Sequence, residues 1–232
     1  MSGSAATDRL QRAARWMPDL GSLRLIGGGP SLALLQPDAS VLWWCAPDID
    51  DAPLCWQLLD PDGGVAYFPG QQMYEASTAP AGRSARTLLR RDTTILEVVD
   101  AVVPLGGGVA LVRLLRLVRP GEPVQVQHAL RLGGLDSPSA DFRLDGSVAT
   151  ASQSTRGRTV PVQVHADAHR LEEGELHSSV SVRAGVWTPL VIAVHCSADL
   201  ELEGTALAAI VRVARRRGAG GARQSAPAAT PS

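Results

Sequence analysis

The sequence predicts a mainly β protein folded as an antiparallel sandwich. Short apolar or alternating runs recur along most of the chain, and turn-forming pairs punctuate them about every ten residues. No helical segments alternate with these runs, as a doubly wound parallel sheet would require.

The runs cover residues 31–35, 41–44, 65–68, 94–103, 109–119, 124–132, 160–165 and 188–195. Pro37-Asp38, Asp62-Gly63-Gly64, Gly106-Gly107-Gly108, Pro120-Gly121 and Gly133-Gly134 mark the reversals between them. Residues 124–127 and 160–165 alternate strictly, so each run should set one face on the core and the other in water. Two segments read as helical. Asp51 can cap a short helix with Pro53 in its first turn, followed by Leu54, Trp56, Leu58 and Leu59. A second helix should run over 205–217, with Thr205 as its cap and Leu207, Ile210, Val211 and Ala214 on one stripe. Arg215 to Arg217 would then sit at the negative end of its dipole. The organisation that follows is a flexible segment over 1–19, a sandwich domain over 20–203, a linker helix over 204–217 and a low-complexity, disordered tail over 218–232.

Composition narrows the function classes. A chain of 232 residues is long enough to bury roughly 70 to 75 per cent of its unfolded surface. Its 45% hydrophobic share fits a globular core, and the 4% aromatic share makes that core aliphatic. All 22 basic residues are arginine, set against 23 acidic ones, for a net charge of -1. Nucleic acid and anionic membrane are therefore not expected partners. No apolar run approaches the ~18 residues of a membrane-spanning helix, and the N-terminus lacks the apolar stretch of a secretory signal, so a cytoplasmic location is expected. Cys45, Cys55 and Cys196 have no CxxC spacing and read as free thiols, with no metal or other cofactor implied.

The segment over residues 26–67, IGGGPSLALLQPDASVLWWCAPDIDDAPLCWQLLDPDGGVAY, carries a family signature. Ile26-Gly27, Ala33-Leu34-Leu35, Asp38, Ser40-Val41, Trp43, Cys45, Pro47, Asp50 and Leu58-Leu59 fall, without a gap, at the positions of a similar opening run. Leu96-Glu97 with Asp100 and Pro104 matches a further stretch, as does Leu111-Val112-Arg113 followed by Gly121-Glu122-Pro123-Val124. On these residues the chain resembles the N-terminal domain of bacterial family 15 glycoside hydrolases, the glucoamylase-like and trehalase-like enzymes. The resemblance spans roughly residues 20–215. It implies an antiparallel super-sandwich, followed in such enzymes by an α/α toroid that holds two catalytic glutamates.

Inverting glycosidases need a carboxylic acid and a carboxylate about 6.5 to 9.5 Å apart across the sugar. By resemblance both glutamates belong to the toroid, beyond Ser232, so no catalytic residue is expected in this chain. Three polar signature positions also differ: Gly28 and Leu42 stand where the family has aspartate, and Asp48 where it has arginine.

Other clusters have simpler readings. Asp48, Asp50 and Asp51, and likewise Glu172, Glu173 and Glu175 around Gly174, read as caps and solvated loop charges before an acid/base pair. His165 and His169 have a metal-like spacing but no helix to present it, and no metal site is expected. Gly27-Gly28-Gly29 lacks the ending of a phosphate loop and reads as a turn. Trp43, Trp44 and Trp56 could stack on sugar rings, but their positions favour packing. Adjacent on one strand, Trp43 and Trp44 must face opposite ways. Trp43, Trp44, Asp48, Asp50 and Trp56 are thus the candidate residues of a signature loop or domain interface.

The expected function is a non-catalytic sandwich domain, truncated before its catalytic domain, that packs on an α/α toroid, missing or on a separate chain. It should expose an apolar patch around the signature loop and Trp44. The alternatives are a stand-alone module binding α-glucan, trehalose or a protein, and one half of a split hydrolase.

Overall fold

The computed structural model describes residues 19–78, 84–105, 107–133, 140–155 and 158–196. Within them a 3-10 turn at Leu20–Ser22, capped by Asp19, leads into sixteen strands arranged as two antiparallel sheets. The mainly β sandwich expected from the sequence is the observed fold, whereas the segments at 1–18 and 197–232, including the helix expected at 205–217, lie outside the described residues.

The first sheet runs β1 (Arg24–Gly28), β2 (Ser31–Leu35), β3 (Val41–Cys45), β5 (Val65–Tyr67), β10 (Val124–Arg131), β15 (Glu175–Val182) and β14 (Ala168–Glu172), with β4 (Pro53–Cys55) paired to β3. The second runs β11 (Arg143–Asp145), β12 (Val148–Thr155), β13 (Arg158–His165), β16 (Thr188–Val194), β9 (Gly108–Leu117), β8 (Thr94–Leu105), β7 (Ser84–Arg91) and β6 (Gln72–Thr78). Eight of these strands match the apolar runs read from the sequence. The expected alternation also holds: Val160, Val162 and Val164 are buried on β13, while Pro161 between them is exposed.

The short helix expected after Asp51 does not form. Pro53 opens β4 instead, where a strand off the main path of the sheet tolerates its missing donor. The amides of Trp56 and Gln57 donate to the Gly64 carbonyl, and a single turn follows in which the Leu59 and Asp60 amides both donate to the Trp56 carbonyl. Asp51 accepts from the Asp48 amide at 3.2 Å and thereby closes a turn rather than capping a helix. Gly64 is fixed by close backbone approach: a Cβ there would lie 2.4 Å from the Leu54 carbonyl oxygen and 2.7 Å from the Gly133 nitrogen.

Between the sheets lies one aliphatic core that includes Trp44, Phe68 and Phe142. Two buried arginines cross it in opposite directions. Arg24, on the first sheet, donates to the Arg86 carbonyl at 3.1 Å and to Thr87 Oγ1 at 2.9 Å on β7, and to the Gln36 carbonyl at 2.6 Å. Arg113, on β9, is fully buried with Asp100; its Nε donates to Asp100 Oδ1 at 2.7 Å, and its Nη2 donates to the Ala39 carbonyl in the β2–β3 turn. The Phe68 ring lies 4.3 Å from the Arg113 guanidinium carbon and meets His128 edge-on at 5.3 Å. The core thus contains a buried charge pair faced by a π-surface.

Removing one member of that pair leaves the other charged and unpaired in a medium where this is costly. Arg113→Met should destabilise the fold by about 3 to 5 kcal/mol in urea unfolding, and Arg113→Met combined with Asp100→Leu should recover most of the loss. A single variant as stable as the parent chain would contradict this role.

His128 is fully buried, and neither ring nitrogen has a hydrogen-bond partner among the described residues. Burial first, then Arg113, His177 and His169, hold its pKa well below the ordinary 6.5. The folded state keeps this ring neutral while the unfolded chain takes up a proton below that value, so its contribution is present above about pH 6.5 and declines on acidification. His165, also lowered by burial and by His169, adds in the same sense. Stability should therefore fall between pH 7 and 5 with a slope approaching about 1.4 kcal/mol per pH unit per proton. His128→Leu should flatten that slope, and an unchanged slope would show that His128 does not set it.

Candidate functional site

The register of the first three strands decides what the signature segment presents. Leu25 pairs with Leu34 and Leu34 with Trp43, while one position along, Ile26 pairs with Ala33 and Ala33 with Trp44. The second row points inward and is wholly buried. Trp44 lies in the core, where its Nε1 donates to Ser31 Oγ at 3.0 Å and Ser31 Oγ donates on to the Cys45 carbonyl. The first row points outward: Leu25 is 48% exposed and Trp43 half-buried. The exposed apolar patch therefore centres on Trp43 and not on Trp44. Shifts in register between Leu34 and Leu35, and between Trp44 and Cys45, mark bulges that fix this division.

The loop after β3 completes the patch. The Ala46–Pro47 peptide is cis, and the Ile49 amide donates to the Pro30 carbonyl at 2.9 Å, bringing the loop to the β1–β2 hairpin. Gly29, with φ of 69°, makes the turn of that hairpin, whereas Gly27 and Gly28, also expected in the turn, belong to β1. Ile49 is 45% exposed and joins Leu25, Leu32, Leu34, Trp43 and Cys45 around a small apolar cleft. Asp48 Oδ1 accepts from the Asp50 amide at 3.3 Å, so Asp48 and Asp51 are turn-closing side chains and Asp50 is an exposed loop residue. Trp56 lies in the turn after β4, half-buried, and is not in the outward row.

The opposite end of the same face is polar. On β5, β10, β15 and β14 the outward positions include Tyr67, Arg131, Glu175, His177, Arg170 and Glu172. The Tyr67 hydroxyl donates to Glu175 Oε2 at 3.0 Å, and burial together with this carboxylate pushes the phenol pKa up. Arg131 pairs with Glu175 at 3.4 Å and also donates to the Gly63 and Pro61 carbonyls, while Arg170 pairs with Glu172 at 3.1 Å. Glu173 and Gly174, both at positive φ, form the hairpin turn between β14 and β15. These acids have structural partners and are not arranged as an acid/base pair across a cleft. Beside them Gln127, Ser179, Arg170 and His177 line a shallow depression of about 220 Å³.

The two spaced histidines separate onto different sheets. His169 Nε2 lies 3.0 Å from the Ser147 carbonyl, an atom that can only accept, and its Nδ1 lies 3.0 Å from Ser178 Oγ. No group of three or more His, Cys, Asp or Glu that could hold a metal ion occurs among the described residues. No helix of the described residues is long and apolar enough to cross a membrane. The three cysteines are free, and burial pushes the Cys45 thiol up to about 11 and the Cys55 thiol to about 12.

No family model matches the chain, and no curated protein matches it. Among solved structures, a putative kojibiose phosphorylase from the human microbiome is similar with a TM-score of 0.34 and 7% identity. The match covers 87% of this chain and 24% of that one, so the chain spans about a quarter of that protein's length.

The buried cysteines generate a direct check. Thiol titration of the native chain at pH 8 should give little reaction at Cys45 and Cys55, with both becoming reactive only on unfolding. Rapid modification of either in the native state would contradict their placement.

Proposed function

We propose that this chain is a non-catalytic sandwich domain of a glycoside hydrolase of the family 15 type, acting by docking an α/α-toroid catalytic domain on the outer face of β1–β3. The observation that carries this reading is the outward row of Leu25, Leu34 and Trp43, extended by Ile49, which lies within the segment resembling the family signature. An exposed apolar row of this kind, on a sheet whose other end is polar, is what a domain interface leaves when its partner is removed. The carboxylates of the described residues support the same reading. Asp48 and Asp51 close a turn, and Glu172 and Glu175 are paired with arginines, so these four carboxylates are engaged in structural contacts rather than facing one another across a cleft.

A second reading has a specific observation in its favour. The depression lined by Gln127, Ser179, Arg170 and His177 offers neutral and charged donors of the kind that take sugar hydroxyls, so a carbohydrate-binding role would use that end of the sheet.

The two readings separate in one set of measurements. The chain alone should release no glucose from maltose, trehalose or starch. Mixed with a separately expressed family 15 toroid, it should associate in sedimentation velocity. Leu25→Asp and Trp43→Asp should each weaken that association at least roughly tenfold, the value of about 1.4 kcal/mol at a buried apolar contact, without lowering the unfolding midpoint by more than a few degrees. Glucose release by the chain alone, or association insensitive to both substitutions, would overturn the proposal. Saturable calorimetric heat with α-glucan or trehalose, lost in Gln127→Ala, would establish the second reading in its place.

A further inference from the structure

On one side of the sandwich both sheets end in strands with a free edge among the described residues: β14 ends the first sheet there and β11 the second. The two edges lie together, because His169 near the start of β14 places its Nε2 3.0 Å from the carbonyl of Ser147 in the β11–β12 turn. They also carry the same pattern. β14 contains Arg170-Leu171-Glu172 and β11 is Arg143-Leu144-Asp145, each a leucine between an exposed cation and an exposed carboxylate. Both strands enter two-residue hairpin turns, in which Glu172 faces Glu175 and Asp145 faces Val148. In such a hairpin the closing pair is hydrogen-bonded, so the backbone N–H and C=O of the residue before it point away from the partner strand. Those residues are Leu171 and Leu144. Their side chains face inward beside Leu176 and Ala149 of the core, yet they remain 49% and 43% exposed.

We propose that this side of the sandwich pairs with the same side of a second copy of the chain, β14 against β14 and β11 against β11, in antiparallel register about Leu171 and Leu144. Antiparallel pairing of a strand with its own copy is two-fold symmetric, so one residue on the axis defines the register. With Leu171 on the axis, the two copies of Leu171 exchange backbone hydrogen bonds, and Arg170 of each chain lies directly opposite Glu172 of the other. With Leu144 on the axis, Arg143 meets Asp145 in the same way. Charged side chains on an edge strand ordinarily keep a second strand away. Here the order of cation, leucine and carboxylate is complementary to its own reverse, so the directly opposed charges attract. Placing Arg170 or Glu172 on the axis instead would set like charges face to face. The other two sheet edges lack this property: β1 has Arg24 as its one charged residue, and that is buried, while β6 has Glu75 alone.

Pairing of this kind continues both sheets across the axis and covers the inward leucines at their ends. The inference stands on the two strand edges and does not depend on the function proposed above. β14 lies at the end of the first sheet opposite to β1–β3, so a dimer formed here leaves the proposed docking face open.

Sedimentation velocity of the full chain tests it. A monomer–dimer equilibrium should appear as the concentration is raised from about 1 μM to about 1 mM. Glu172→Arg opposes like charges across the axis and should raise the dimer dissociation constant at least roughly tenfold, as should Asp145→Arg on the other edge. Adding Arg170→Glu to the first variant, or Arg143→Asp to the second, restores opposite charges in the same register and should return the constant close to that of the parent chain. All four side chains are exposed, so every variant should keep the parent's β content by circular dichroism. A chain that stays monomeric over this range, a dimer indifferent to either single reversal, or a double exchange that fails to restore association would overturn the proposal.

Discussion

The Arg113–Asp100 pair is the constraint around which the sandwich is arranged. Both groups are fully buried, and the guanidinium reaches from the second sheet to a backbone carbonyl of the first. A charge so placed has to be satisfied from several directions at once: the carboxylate takes one edge, the Ala39 carbonyl another, and the Phe68 ring one face. Each of these comes from a different stretch of chain. The position of the β2–β3 turn, the approach of Phe68 and the pairing of β8 with β9 are therefore fixed relative to one another. Arg24 makes the reciprocal crossing at the edge of the first sheet, so the two layers are tied by directional bonds as well as by apolar packing.

This anchoring has a consequence for the candidate surface. With Ala39 held from below and two bulges fixing β3, Trp44 is locked inward and Trp43 outward, and the apolar row across β1, β2 and β3 is a rigid feature of the fold. The two ends of that sheet face differ in kind. The β1–β3 end is aliphatic with one indole, while the β10–β15–β14 end is a network of matched charges. A partner with a dry, apolar contact and a ligand with many hydroxyls would be directed to opposite ends by desolvation alone.

The β class, eight strands and the opposite orientation of the two tryptophans were legible in the sequence because apolar periodicity and turn residues carry them locally. The other strands were not, and for β14 and β15 the physical reason is visible. β15 puts Ser178 at an inward position between Leu176 and Val180, which breaks the apolar alternation, and β14 is an edge strand whose outward side chains are charged. β4 was misread because Pro53 fits a first helical turn as well as a strand off the main sheet path, and only the distant Gly64 carbonyl decides between them. The patch was legible in kind but misplaced by one residue, since the faces of β3 depend on a bulge that leaves no mark in the sequence. The buried pair was visible only as separate charges: Asp100 and Arg113 lie on neighbouring strands, and their pairing is a product of register.

The strand order also sets how the chain must be made. The first sheet joins early strands to later ones: β3 and β5 come from the first third of the chain, and β10, β15 and β14, which complete the row, all come from its second half. During synthesis the edge of β5 therefore stays unpaired until β10 has emerged, and the edge of β10 until residues near Val182 have. Such non-local pairing makes folding slow and leaves the nascent chain exposed to wrong edge-to-edge contacts. The apolar segment that marks the surface of the finished domain is thus also the part of the newborn chain most in need of protection.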